Sequence, residues 1–233
     1  MPASSFTRRH FLANTAALAT AAALPRFAFA SAPPSKYTGD QALHILMQGN
    51  ARFVSGKLLH PGRKPEDFRP LAAGQTPLAA VLGCADSRVP PEILFDQGIG
   101  DIFTVRVAGN YANGAGASVN GSLEYGVAEL NVPLVLVLGH TECGAVKAAI
   151  AHLHDDELPA DIKDLVADIK PAVAASTGTS KQLLADAIRN NVQRSVAYLT
   201  TQDEILSERV KAGKLKIAGG VYDLATGKVM LLT

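Results

Sequence analysis

The sequence predicts an α/β fold: a single domain with a mostly parallel central β-sheet flanked by helices. Two observations carry this. Three short apolar runs, "PLAAVLG" (77–83), "DIFTVRVAG" (101–109) and "VPLVLVLGH" (132–140), have the character of strands buried on both faces. Segments of helical period alternate with them, as a doubly wound sheet requires. A chain of 233 residues, 48% hydrophobic and 18% charged, suffices for one sizeable core.

The first 30 residues stand apart. Arg8 and Arg9 precede an Ala/Leu-rich stretch, and Ala28-Phe29-Ala30 forms a small-x-small cleavage site. This is the pattern of a secretory signal. "TRRHFLA" resembles a twin-arginine export signal, which carries folded proteins. Residues 1–30 are therefore expected to be a signal peptide cleaved after Ala30, and the mature chain periplasmic. Phe11 to Leu24 is too short and Ala-rich for a stable membrane span, so none is expected after cleavage.

Residues 31–39, "SAPPSKYTG", form a Pro-containing linker, and the domain proper spans 40–233. Asp40 is the expected N-cap of a first helix through "QALHILMQGNARFV", with Leu43, Leu46 and Phe53 near helical spacing. This helix is expected to be free to pack on a partner subunit. "GKLLHPGRKPEDFRPLAAGQTP" is Gly/Pro-punctuated and expected to be loop. Between the second and third strands, Leu123, Val127 and Leu130 mark a helix. "ECGAVKAAIAHL" marks another. Residues 155–180 form a helix containing Pro171. Leu184, Ile188, Val192 and Leu199 lie on one stripe of a long amphipathic helix with a break near Thr200, and Lys211 and Gly213 are stop signals. The chain closes as two strands around Thr226 and Gly227.

The formal net charge is +1, with no basic block, so nucleic acid is not an expected partner. "GNYANGAGAS" lacks the third glycine of a dinucleotide fingerprint, because position 119 is Val. It is expected to be a turn near the crevice.

The chemistry centres on the chain's two cysteines. In an exported protein, two cysteines point first to a disulfide. Placement along the fold points elsewhere. Cys84 follows the first strand, and His140 and Cys143 follow the third. In an open α/β sheet, ligands bind beyond the carboxyl ends of the strands. If a helix starts at His140, that residue and Cys143 share a face. Two thiolates and an imidazole suit zinc, and three protein ligands leave the open fourth position of a catalytic site. Spacing and strand-end placement favour metal over disulfide. Asp86 can then approach the zinc or accept a hydrogen bond from zinc-bound hydroxide, with Arg88 holding it through a charge-assisted contact.

"CADSRVPPE" followed by "GHTECGAV" resembles the β-class carbonic anhydrase family. The resemblance continues in "QALHILMQGNARFVSG", "FTVRVAGN", "GSLEYGVAEL" and "GKLKIAGGVYDLATGKV", covering roughly residues 40–233. It implies one Zn²⁺ per subunit on Cys84, His140 and Cys143, and an Asp86–Arg88 dyad. It also implies reversible hydration of carbon dioxide to bicarbonate and a proton, by a homodimer or dimer of dimers. Gln75 sits where the plant-like subtype has a substrate-binding glutamine in a site shared across the dimer. The other subtype places a tryptophan three residues before the first zinc cysteine. Here that residue is Val81, and the chain has no Trp. Asp86 is therefore expected to face Arg88 near neutral pH, leaving water on the zinc.

Two thiolates cancel the charge of zinc, so bound water is acidified less than at a three-histidine site. Hydrogen bonding of the hydroxide to Asp86 partly offsets this, and zinc hydroxide then attacks carbon dioxide. Activity is expected to rise with pH through the neutral-to-alkaline range. No proton acceptor is evident; His44, His60, His152 and His154 qualify only as titratable groups. "HLHDDE" (152–157) reads as a solvated helix end rather than a metal site. The rival functions are hydrolysis of another cumulated substrate, carbonyl sulfide or carbon disulfide, on the same zinc fold, and a secreted binding module stapled by a Cys84–Cys143 disulfide.

Overall fold

The computed structural model describes residues 33–179 and 181–232, so the expected signal peptide lies outside the described residues. The elements follow in chain order: α1 (Gly39–Val54), α2 (Pro65–Phe68), a 3₁₀ turn (Arg69–Ala73), β1 (Ala79–Cys84), α3 (Pro91–Leu94), β2 (Ile102–Val107), α4 (Gly116–Ala128), β3 (Leu134–His140), α5 (Gly144–Ala151), α6 (Ala160–Ala174), α7 (Lys181–Thr201), α8 (Glu204–Lys211), β4 (Lys216–Tyr222) and β5 (Val229–Leu232).

The strands form one five-stranded sheet in the order β2-β1-β3-β4-β5. The pairs β1–β2, β1–β3 and β3–β4 are parallel, and β4–β5 is an antiparallel hairpin. The alternation of side chains across a strand explains why β1 and β3 are apolar up to their last residues, Cys84 and His140. Ala79, Val81, Leu134, Leu136 and Leu138 join Ala42, Leu46, Leu94 and Phe95 on one face. Ala80, Leu82, Val135 and Val137 join Leu123, Ile169, Ile188 and Val192 on the other. A Cβ on Gly139 would lie 2.7 Å from Val192 Cγ2, so glycine there lets α7 settle directly on the sheet.

Several elements differ from expectation. The first helix is capped by Thr38, not Asp40. The Thr38 hydroxyl accepts from the Gln41 amide, and the Gln41 side chain accepts from the Thr38 amide. A reciprocal capping box satisfies two backbone donors, more than a lone carboxylate two residues later would. The helix therefore begins inside the stretch expected to be linker. Its buried residues Ala42, Leu46, Gly49 and Asn50 face its own chain. Asn50 bonds Leu94 O, Gly227 O and Val229 N, stitching α1 to the closing hairpin. The stretch expected to be loop carries α2 and the 3₁₀ turn, both without buried residues. Proline in the first turn of each supports these short helices despite the punctuation.

Asp96 anchors the segment after α1. Its fully buried carboxylate meets Arg52 Nε at 2.7 Å and accepts from the Leu59 and His60 amides. Burial raises its pKa, but those amides and Arg52 outweigh this and leave it below the ordinary value. Its contribution to stability is complete above an unfolded carboxylate pKa of about 3.9 and is lost as pH falls below it. Asp96→Ala should cost about 3 kcal/mol, because it leaves a guanidinium and two amides without their acceptor. Urea denaturation at pH 7 measures this, and the difference from wild type should shrink towards pH 3.

Candidate metal centre

The strand order reverses direction between β1 and β3, the switch point at which an open α/β sheet parts its loops. Cys84 ends β1 and His140 ends β3. Both sit on this crevice because strand ends fall there. Cys143 arrives differently. His140 and Cys143 do not share a helical face: His140 ends the strand, and Cys143 is the N-cap of α5. Glu142, with φ of +61°, reverses the chain between them.

Cys84, His140 and Cys143 are buried, and their ligand atoms all lie within 4.8 Å of one another. They are the one such group with three potential ligands among the described residues. The sulfurs are 4.0 Å apart and both cysteines are free. A disulfide requires about 2.05 Å. Two thiolates on one tetrahedral zinc, at about 2.3 Å each, would stand roughly 3.8 Å apart. The separation fits shared metal ligation and is about twice the length of a disulfide bond.

The histidine fits too. Its Nδ1 lies 2.8 Å from Thr141 O, which fixes the proton on Nδ1. Nε2 is left buried and without a hydrogen-bond partner, a lone pair awaiting a cation. Such carbonyl anchoring of the remote nitrogen is typical of metal-bound imidazole. Cys143 lies at a helix N-terminus, where the Val146 and Ala145 amides favour its thiolate. Hydrogen bonding from Cys143 pushes the Cys84 thiol well down, and the same contact pushes Cys143 up.

Asp86 faces Arg88. The guanidinium grips the carboxylate twice, Nε to Oδ1 at 2.9 Å and Nη2 to Oδ2 at 2.7 Å, and the Arg88 amide adds a third bond at 2.9 Å. The Arg88 hydrogen bond holds Asp86 well below the usual carboxylate range. Its Oδ2 is 3.9 Å from His140 Nε2, so the carboxylate borders the metal pocket while staying outside the cluster. Arg106 of β2 fixes the loop beneath by donating to Cys84 O and Asp86 O.

Gln75 is exposed and lies before β1, whereas Cys84 lies at that strand's far end. A six-residue strand spans about 20 Å, so Gln75 is not brought to its own chain's cluster. His44, His60 and His154 are exposed and His152 is half-buried, bonded to Asp155 at 2.7 Å. Residues unforeseen from sequence are Asn191 and Ser195 of α7, buried at 4% and 1% exposure and bonded to the loop after β2. Their signal was two polar residues four apart on the otherwise apolar stripe of a long helix.

A doubly wound sheet with a Cys₂His cluster at its switch point defines a single-ion thiolate–imidazole metalloenzyme. Comparisons with known proteins narrow this. A model of the carbonic anhydrase family matches residues 79–229. Carbonic anhydrase 2 of Mycobacterium tuberculosis is 43% identical over 191 residues, covering 82% of this chain and 91% of that protein. The carbonic anhydrase of Mycolicibacterium smegmatis is 42% identical with the same coverage. Among solved structures, the β-carbonic anhydrase CcaA superposes with a TM-score of 0.66 at 25% identity, over 82% of this chain and 95% of that one. The Coccomyxa β-carbonic anhydrase gives 0.65 at 29%, over 71% and 76%. The chain belongs to the β-carbonic anhydrase family.

Proposed function

We propose that this chain catalyses the reversible hydration of carbon dioxide to bicarbonate and a proton, with one zinc ion per subunit on Cys84, His140 and Cys143. The observation that carries the reading is the buried, unpartnered His140 Nε2 facing two free sulfurs 4.0 Å apart. When bound, zinc supplies a Lewis acid that activates water near neutral pH. The two sulfurs and the imidazole hold that charge at the crevice mouth. Asp86, kept ionised by Arg88, accepts a hydrogen bond from the reacting water and orients it towards the substrate carbon. Arg88 is the positioning residue for Asp86.

Gln75 is read as a substrate-binding group contributed to the site of a partner subunit. Its distance along β1 from Cys84 supports this, and so does the family likeness. The assembly is accordingly a homodimer or a dimer of dimers. The Arg8-Arg9 motif and the Ala28-Phe29-Ala30 site support export to the periplasm. No helix among the described residues is long and apolar enough to cross a membrane.

The test is stopped-flow carbon dioxide hydration by protein of measured zinc content, with carbonyl sulfide and carbon disulfide assayed in parallel. Hydration proportional to zinc is expected. Zinc-loaded protein that ignores carbon dioxide but consumes a sulfur analogue would overturn the substrate. Gln75→Ala should raise KM more than it lowers kcat. In mixed dimers with a zinc-site-inactive chain, activity should depend on which chain carries the change. N-terminal sequencing of the periplasmic fraction checks cleavage after Ala30.

A further inference from the structure

A site with two thiolates neutralises the zinc charge and should be a weak Lewis acid unless something withdraws density from sulfur. The structure contains such a device at Cys84. The Gly109 amide donates to Cys84 Sγ at 3.2 Å. Hydrogen bonds to ligating sulfur are a recognised means by which a protein tunes a metal.

The donor is held in place by a separate element. Gly109 has φ of +87°, and a Cβ there would lie 2.5 Å from Ile169 Cδ1, so both conformation and space demand glycine. Its carbonyl accepts from Asn191 Nδ2 at 2.6 Å. One turn along α7, Ser195 Oγ accepts from the Ala112 amide at 3.1 Å. Both side chains are buried, so these bonds are dry and costly to break. The two contacts act on opposite ends of one loop. Only that of Asn191 falls on the residue whose amide meets the sulfur.

We propose that Asn191 is a positioning residue of the metal centre: from α7 it anchors the Gly109 carbonyl, in the peptide unit that follows the one carrying the N–H, and so holds this residue in the conformation in which its N–H donates to Cys84 Sγ, lowering the donor strength of that thiolate towards the ion. This rests on the zinc-site reading above. Asn191 touches neither metal nor substrate, and Ser195 serves as its structural control.

The experiment uses cobalt-substituted holoenzyme, because cobalt reports sulfur donor strength through its sulfur-to-metal charge-transfer band. Asn191→Leu should still bind one metal per subunit. Its band should move to lower energy, since a sulfur without its hydrogen bond gives up density more readily. The zinc form should lose about 10–100-fold in turnover, the usual scale for outer partners of a metal ligand. Ser195→Ala should lower the melting temperature but leave the band at the wild-type position. If Asn191→Leu does not fold, Asn191→Ser, too short to reach Gly109 O, carries the same expectation. An unmoved band in a metal-loaded Asn191 variant, or an equal shift in Ser195→Ala, would overturn the proposal. Failure of wild type to bind one metal or hydrate carbon dioxide would instead overturn the zinc-site reading.

Discussion

Cys143→Ser is expected to lose zinc and all measurable turnover while keeping its fold. The three ligands are an all-or-none set, since removing one leaves two donors and an open coordination sphere. Cys143 offers the cleanest separation of metal loss from misfolding. It is the N-cap of α5, and serine is among the preferred residues there. The hydroxyl keeps the helix start satisfied while giving up the thiolate. Cys84→Ser should behave similarly, because its oxygen can still accept the Gly109 amide. His140→Ala is the harsher change: the ring is fully buried at the end of β3, and its loss leaves a void beside the Thr141 carbonyl. Metal affinity in such sites is folding free energy. Chelated wild type and Cys143→Ser should therefore melt at the same lowered temperature, and added zinc should rescue only the wild type. Metal analysis with thermal melts checks this. A Cys143→Ser protein retaining one zinc and its activity would refute the ligand set.

The sheet was legible because burial on both faces leaves no room for polar residues in β1 or β3 before the ligand at the end of each strand. A continuous run such as "LVLVLG" has few other uses in a chain this size. The break between α7 and α8 was legible for the converse reason, a stripe that ends. What the residues alone did not disclose depends on chain reversal and reciprocal bonding. The Thr38–Gln41 box is invisible until both side chains are seen to turn back. The spacing His-x-x-Cys suits a helix face, but Glu142 in a left-handed conformation brings Cys143 round by a turn instead. The ligand set survives this correction because the same atoms converge by either route. Asn191 and Ser195 resembled ordinary helix polarity, and their partners lie more than 80 positions away.

Asp86→Ala should spare zinc and cost about 100-fold or more in turnover, on the scale of a lost proton-accepting or orienting group. Asp86 is not in the three-ligand cluster, so its removal takes no bond from the ion. Its carboxylate stands 3.9 Å from His140 Nε2, which places it beside any water on the cluster's open side. Three bonds from Arg88 keep it ionised and aimed. Two of those bonds come from a guanidinium fork, which lysine cannot reproduce. Arg88→Lys should therefore fall between wild type and Arg88→Ala in kcat, with all three keeping full zinc. Arg88 is exposed, so neither change should move the melting temperature by more than a degree or so. Stopped-flow kinetics on protein of measured zinc content decides the matter. If Asp86→Ala retained wild-type kcat, the orienting role would pass from this pair to another group. If it lost zinc in step with activity, Asp86 would belong with the ligands. The geometry favours neither outcome: the carboxylate is turned towards arginine, outside the three-ligand group, and close enough to the pocket to act on it.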